Sequence, residues 1–190
     1  ELGTGAWTDQ GSSATDESSA SLTSTTIRNP SDEVESSIDN TVIGDWTVTY
    51  VYTDAHGNTG SAVRTVTVRD TTDPDVTVLG SNPYYVELGT GAWTDEGSSA
   101  FDYSTKTLTS TTIRNPSNAV KSSIDNTVIG DWTVTYVYTD AYNNEGSAVR
   151  TVTVRDTTDP DVTINGNNPY YVELGTGAWT DQGSSATDES

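Results

Sequence analysis

Apolar and polar residues alternate with a period of two along the longest patterned stretch of the chain, DWTVTYVYTD at residues 131–140. Trp132, Val134, Tyr136 and Tyr138 fall on one face of an extended chain, and threonines fall on the other. The stretch SAVRTVTVRD at 147–156 alternates in the same way, and the residues AYNNEG between the two stretches are enough for a hairpin loop. The pattern predicts two long antiparallel strands with aromatic and aliphatic side chains inside and threonines outside.

Shorter segments of the same kind surround this hairpin. We expect strands at residues 75–79, 84–88, 92–94, 107–114 and 120–125. Glycine, proline and asparagine residues separate these segments, and no stretch follows the 3.6-residue period of a helix. The chain is therefore predicted to be all-β, and short strands between turns are typical of either a β-sandwich or a β-barrel.

The sequence is repetitive, because the phrase ELGTGAWTD begins at residues 1, 87 and 173, a period of 86 residues. Residues 1–86 and 87–172 differ at only fifteen positions, and most differences cluster in loops. The third copy follows the first rather than the second, which suggests that two kinds of repeat alternate. With boundaries placed at the linkers, we expect three segments: 1–70, a repeat lacking its first strands; 71–156, a complete repeat; and 157–190, the first strands of a third repeat.

Composition excludes several classes of partner. The formal net charge is -20, from 28 acidic and 8 basic residues. Nucleic acid and anionic membrane surfaces both need clustered Lys and Arg, so we expect neither as a partner. No apolar run approaches the length of about 20 residues that a membrane span needs. The excess of carboxylates favours the binding of cations.

The residues that catalysis would need are scarce. The chain has no Cys and a single His, His56, whose counterpart in the second copy is Tyr142. A zinc cluster or a Cys-His dyad cannot be built from this set, and a Ser-His-Asp triad would depend on His56 alone. We therefore expect no enzymatic activity.

The most informative stretch is WTVTYVYTDAHGN followed by SAVRTVTVRDTTDPDVT. It resembles tandem bacterial and archaeal immunoglobulin-like surface repeats related to hyalin-repeat modules, and also the Ig-like domain of insecticidal crystal proteins. The residues at the positions of the family pattern are Trp46, Val48, Tyr50, Asp54, Ala55, Gly57, Asn58, Arg64, Val66, Val68, Asp70, Thr72 and Pro74.

The likeness continues upstream of that stretch, where the residues that match are Glu87, Gly89, Trp93, Asp95, Gly97, Ala100 and Asp102. The chain departs from the pattern at Trp46, where Tyr is usual, and at Asn143, which replaces Gly57. It also lacks the acidic run that many members carry after Asp102. The resemblance implies tandem immunoglobulin-like β-sandwiches that serve outside the cell as non-enzymatic spacers or adhesion modules.

Acidic residues at the repeat boundaries are the candidate metal ligands. Asp70 and Asp73 lie in the first linker, and Asp156 and Asp159 lie in the next. The last strand of a repeat ends at the pole opposite its hairpin loop, so the loop of the following repeat should face the incoming linker. Asp70 and Asp73 should then approach three residues of the second repeat, Asp102, Asp140 and Asn144.

Converging carboxylate and amide oxygens suit Ca²⁺, which takes six to eight oxygen ligands. The predicted cofactor is therefore Ca²⁺, bound at the inter-repeat joints. A second reading assigns the same acids to turn formation, with Asp capping the turn and Pro stopping the strand.

Taken together, these features predict a structural segment of an extracellular, cell-surface stalk, adhesin shaft or filament, whose partners are neighbouring repeats or identical chains. One alternative is a polymer in which residues 157–172 of one chain supply the opening strands that residues 1–70 of another chain lack. Another is a glycan- or protein-binding module that uses the variable loops at 101–107 and 142–145.

Overall fold

The computed structural model describes residues 1–188, and every helix or strand element in that part of the chain is a β-strand. The strands are β1 (Ser21–Arg28), β2 (Val34–Glu35), β3 (Gly44–Thr53), β4 (Thr59–Val68), β5 (Asp75–Val78), β6 (Tyr84–Glu87), β7 (Ser98–Phe101), β8 (Lys106–Arg114), β9 (Val120–Lys121), β10 (Gly130–Asp140), β11 (Glu145–Arg155), β12 (Asp161–Ile164) and β13 (Ser184–Thr187). The all-β prediction is confirmed. Residues 1–188 contain no helix long and apolar enough to cross a lipid bilayer.

Two larger sheets carry the long alternating strands. The first repeat forms a four-stranded sheet in the order β2-β1-β3-β4, with Trp46 opposite Val66 in the antiparallel β3–β4 pair. The second repeat forms a five-stranded sheet in the order β6-β11-β10-β8-β9. In that sheet β6 runs parallel to β11, with Tyr84 opposite Val152. The predicted hairpin of two long strands is β10 and β11, and its counterpart in the first repeat is β3 and β4.

The inward face of each central strand forms the core. Trp132, Val134 and Tyr136 of β10 are at most 1% exposed, and the equivalent residues of β3 are at most 3% exposed. The indole N–H of Trp132 donates to the carbonyl of Val128 at 3.1 Å, so the polar atom of this buried ring is satisfied. Because such aromatic side chains bury roughly 150–250 Å² each, they dominate the stabilisation of these small repeats.

A second layer in the second repeat is formed by β5 and β7, which pair with one another. The fully buried Arg150 of β11 connects the large sheet to this layer. Its guanidinium donates to the carbonyls of Leu79, Ser81 (2.7 Å) and Gly97 (3.2 Å), which lie next to β5 and β7. Two packed layers of strands are the β-sandwich form of the predicted fold class.

One of the predicted short strands is wrong in position and another is wrong in length. Residues 92–94 are not extended in a ladder, and the strand that pairs with β5 is β7, at 98–101. Asp95 accepts hydrogen bonds from the Tyr136 hydroxyl at 2.5 Å and from the Gly97 N–H at 2.9 Å, which turns the chain just before β7. The predicted strand 120–125 stops at Lys121, because Asp125 instead forms a local turn by accepting the N–H and hydroxyl of Thr127.

The described residues form two compact units. One unit consists of Glu1–Asp75, Ala100–Leu108 and Tyr138–Gly146, and the other consists of Val76–Ser99, Thr109–Val137 and residues 147–188. The repeat boundaries after residues 70 and 156 stay predictions. The last two residues of the predicted third repeat, Glu189 and Ser190, lie outside the described part of the chain.

Candidate metal centre

Three aspartates meet within the first compact unit. Asp70, Asp102 and Asp140 are 8%, 8% and 7% exposed, and each offers a carboxylate oxygen within 4.8 Å of those of the other two. Like charges at this separation repel one another, and the repulsion grows as water is excluded. Such a cluster is more stable with a cation among its oxygens.

The position of Asp70 is set by the residues on both sides of it. The carboxylate of Glu1 accepts the Thr71 N–H at 2.7 Å, the Thr71 hydroxyl at 2.9 Å and the Thr72 hydroxyl at 3.0 Å. On the other side, the Leu2 N–H donates to the carbonyl of Arg69 at 2.8 Å. The hydrogen bond from the Thr71 backbone is the main reason that the pKa of Glu1 is lowered to about 2. These hydrogen bonds therefore fix the backbone on both sides of Asp70, just after β4 ends.

Asp140 stands at the end of β10 and organises the hairpin loop. Its Oδ1 accepts the N–H groups of Tyr142 and Asn144, each at 2.8 Å. Its Oδ2 accepts the Asn144 amide at 2.7 Å and the Ser104 hydroxyl at 3.2 Å. Burial by itself raises the pKa of Asp140, but the hydrogen bonds from Asn144, Tyr142 and Ser104 outweigh it and hold that pKa below its usual value. The carboxylate is therefore ionised at neutral pH.

Asp70 and Asp102 each have one oxygen that is not satisfied. Their Oδ1 atoms accept backbone N–H groups, from Thr72 at 3.2 Å and from Ser104 at 3.3 Å. Both Oδ2 atoms are buried and have no hydrogen-bond partner. An unpaired carboxylate oxygen away from water is costly, and native proteins nearly always satisfy such atoms. The two unpaired Oδ2 atoms, beside the carboxylate of Asp140, could serve as ligands of a cation.

The chemistry of the donor set favours a hard cation. The three carboxylates offer oxygen only, and the chain has no Cys and only one His. Oxygen-only sets suit Ca²⁺ or Mg²⁺ rather than zinc, which prefers nitrogen and sulfur. Three aspartates cannot fill the six to eight positions of Ca²⁺ alone, so water or backbone carbonyls would complete the shell.

The other predicted ligands lie outside this group of three. Asp73 is exposed, although the adjacent Pro74 is buried. Asn144 lies beside Asp140 and supports it by donating its amide N–H. In the next linker Asp156 is half-buried, with Oδ1 accepting the Thr158 N–H at 3.2 Å, and Asp159 is exposed. Their role as metal ligands stays a prediction.

Sequence reasoning missed two supports of the site, Glu1 and Ser104. A signal for the first was available, because a Glu-Leu-Gly phrase recurs at 1, 87 and 173 and an Asp-Thr-Thr linker recurs at 70 and 156. The second copy repeats the contact, with Glu87 bound to Thr157 and Thr158. The two recurring phrases are hydrogen-bond partners.

Comparison with known proteins agrees with this architecture. The family described as "Bacterial surface protein, Ig-like domain" matches residues 1–68 and 76–154. A protein named Hyalin from Strongylocentrotus purpuratus is 41% identical over 143 residues, which cover 70% of this chain and 11% of that protein. A Hyalin from Lytechinus variegatus is 38% identical over 141 residues, which cover 68% of this chain and 25% of that protein.

Proposed function

Because the chain belongs to the bacterial surface Ig-like domain family, we propose that it is a structural segment of an extracellular stalk, adhesin shaft or filament that Ca²⁺ stiffens at its joints. A cell-surface structural or adhesion role is the coarser statement that family membership supports. The partners in this proposal are neighbouring repeats of the same polypeptide or identical chains. The resemblance to insecticidal crystal proteins adds no function to it.

The observation that carries the calcium proposal is the pair of buried, unpartnered Oδ2 atoms of Asp70 and Asp102 beside the ionised Asp140. By sequence period, Asp70 ends one repeat, whereas Asp102 and Asp140 belong to the next. A cation bound to all three would neutralise their repulsion and tie the linker to two loops of the following repeat. Removing the cation would restore the repulsion and loosen the joint.

A thermal melt of the 190-residue chain tests this proposal. Saturating Ca²⁺ stabilises a protein by RT ln(1 + [L]/Kd), about 2.7 kcal/mol when the ligand is at 100 times its Kd. We expect millimolar Ca²⁺ to raise the Tm above that in EDTA, and Asp70→Asn to remove the rise. Asp73→Asn separates the three buried aspartates from the exposed acid of the same linker: with the cation bound among the three, this variant should leave the rise intact. A wild-type Tm that is the same in EDTA and in Ca²⁺ would refute the calcium joint.

A second candidate is assembly by strand exchange, in which a segment of another chain would cover β4 as the β5–β7 layer and β6 cover β11. Arg150 of β11 is fully buried beneath the β5–β7 layer, whereas Arg64 at the same place in β4 is half-exposed. Within residues 1–188, β4 pairs with β3 alone, while β11 pairs with both β10 and β6. Apolar residues that match the covering segment are exposed further along the chain: Val162 63%, Ile164 58%, Tyr171 86% and Val172 55%.

In this candidate, residues 161–172 of one chain lie on β4 of another in the way that residues 75–86 lie on β11. Light scattering of the purified chain tests it. We expect masses that are multiples of 20.2 kDa, and a shift toward the single-chain mass in the variant Ile164→Asp. Val120→Asp is the control, because Val120 is 62% exposed in β9 and lies outside the exchanged segment. Equal masses for both variants would exclude strand exchange through residues 161–172.

A further inference from the structure

The positions at which the two repeat copies differ are concentrated around the candidate metal centre. Eight of the fifteen differing positions fall in 100–108 and 138–146, the two segments of the second repeat that join the first compact unit. The residues at these positions are Phe101, Tyr103, Thr105, Lys106, Thr107, Tyr142, Asn143 and Glu145.

The carboxylates and their immediate supports do not differ between the copies. Asp102, Ser104, Asp140 and Asn144 correspond to Asp16, Ser18, Asp54 and Asn58 in the first copy. Asp54 accepts the counterparts of three of the four bonds of Asp140, from the N–H groups of residues 56 and 58 and from the Asn58 amide, each at 2.8 Å. These aspartates and the residues that support them are therefore the same in both copies, and the residues around them differ.

Lys106 adds a positive charge at one of the differing positions. Its ammonium group donates to the backbone carbonyl of Asp102 at 3.1 Å and lies 5.6 Å from the centre of the Phe101 ring. This places a fixed positive charge next to one of the three aspartates. In the first copy the corresponding residues are Ala20 and Thr15, so both the charge and the ring that holds it are absent.

A second change puts an aromatic ring, Tyr103, in the place of a carboxylate, Glu17. The Tyr103 ring lies against Gly3, so closely that a Cβ on Gly3 would clash with it. Tyr103 and Tyr142 also line an open cavity of about 280 Å³, together with Ser104 and Ala141. The corresponding residues of the first copy are Glu17 and His56, which supply a further carboxylate in place of an aromatic ring.

We propose that Lys106 weakens cation binding at the Asp70–Asp102–Asp140 site, so that two classes of joint, of low and high cation affinity, alternate along the repeats. This inference rests on the proposed cation site. The ammonium repels a divalent cation, and it also engages the Asp102 carbonyl, an oxygen that Ca²⁺ could otherwise use. Low-affinity joints, in which the following repeat carries Lys106 and Tyr103, depend more on aromatic packing. High-affinity joints, in which that repeat carries Ala and Glu at the same two positions, depend more on the cation.

The functional consequence is a graded response to calcium. As its concentration rises, the high-affinity joints would stiffen first and the low-affinity joints later. A stalk built from alternating repeats would then change its flexibility in two steps rather than one.

Calcium titration of the full chain by calorimetry, paired with Tb³⁺ luminescence sensitised by nearby tyrosines, tests the inference. Lys106→Gln removes the charge and keeps the length of the side chain. We expect it to bind Ca²⁺ about tenfold more tightly than wild type, given the Coulomb energy of such charges a few ångströms apart. Lys106→Arg should bind as wild type does. Lys121→Gln, at a differing position in β9, should also bind as wild type does.

The outcomes separate this inference from the proposed function. Equal affinities for Lys106→Gln and Lys121→Gln, with measurable binding in both, would overturn the role of Lys106 and leave the calcium joint standing. Absence of Ca²⁺ binding in all variants would overturn both. Adding Asp70→Asn to Lys106→Gln should abolish the gain in affinity, and a gain that persists would place the effect at another site and refute the inference. Circular dichroism confirms that each variant is folded.

Discussion

The carboxylate of Glu87 accepts the backbone N–H of Thr157 at 2.5 Å and the Thr157 hydroxyl at 2.6 Å, although the two residues are 70 positions apart. Glu1 makes the same pair of contacts with Thr71 in the first repeat. Each repeat therefore binds its own exit linker through the glutamate of the Glu-Leu-Gly phrase. This contact orients the aspartate that precedes the two threonines, Asp70 or Asp156.

The hydrogen bonds between Glu87 and Thr157 predict that the stability of the fold depends on pH. The hydroxyl and N–H of Thr157 are the main causes of a lowered pKa for Glu87, whose usual value is 4.5. A carboxylate with a lowered folded-state pKa stabilises the fold above its unfolded pKa, and this stability is lost as the pH falls through the folded-state pKa. We expect Glu87→Gln to lower the Tm by a few degrees at pH 7, and the difference from wild type to shrink below about pH 4.

Glu173→Gln provides the control for this measurement, because Glu173 occupies the same place in the third copy and is exposed. Its Tm should match that of wild type at both pH values. If Glu87→Gln lowered the Tm equally at pH 7 and pH 2.5, the ionised carboxylate would not be the source of the stability.

The buried Arg150 predicts unequal effects of one substitution at equivalent positions. Its guanidinium donates to the carbonyls of Ser81 and Leu79, which would lose this partner in Arg150→Leu, whereas the Gly97 carbonyl would keep the Leu79 N–H. Orphaned buried carbonyls cost about 1–3 kcal/mol each, so we expect a loss of roughly 3 kcal/mol in the free energy of unfolding. Arg64→Leu should cost about 1 kcal/mol, because Arg64 is half-exposed and donates to the Gly11 carbonyl.

Urea unfolding followed by tryptophan fluorescence measures both values. Similar losses for the two arginine variants would mean that the buried contacts of Arg150 do not contribute to stability as the geometry indicates.

The close approach of Tyr103 to Gly3 predicts a coupled pair of substitutions. Gly3 has φ +64°, and a Cβ there would meet the Tyr103 ring. Gly3→Ala should therefore cost about 1–3 kcal/mol through strain and overpacking. In a Tyr103→Ala background the overpacking disappears, so the same substitution should cost less.

Gly5→Ala is the matched control, because nothing lies within 4 Å of a Cβ at Gly5 and its φ is not positive. A double-mutant cycle from urea unfolding gives the coupling energy. Additive effects of the Gly3 and Tyr103 substitutions would show that the ring does not restrict that position.

Much of the site was predictable from the topology of strands alone. A linker that leaves the end of one repeat has to face the hairpin loop of the next, which is why the meeting of Asp70 with Asp140 follows from the positions of β4, β10 and β11. The same reasoning included Asp73 equally, yet Asp73 is exposed. The direction of each linker side chain depends on local contacts, such as those of Glu1 with Thr71 and Thr72, that no strand pattern contains.

The sequence by itself determined the class of fold, the repeat, and the buried faces of the long strands, because a period of two is a local property of an extended chain. Tertiary structure alone decided where β7 lies, since Asp95 is drawn to the hydroxyl of Tyr136, 41 positions away. It also decided that Asp70 and Asp102 bury an unpartnered oxygen each. These features arise from side chains that meet across tens of residues, and their geometry exists only once both repeats are folded.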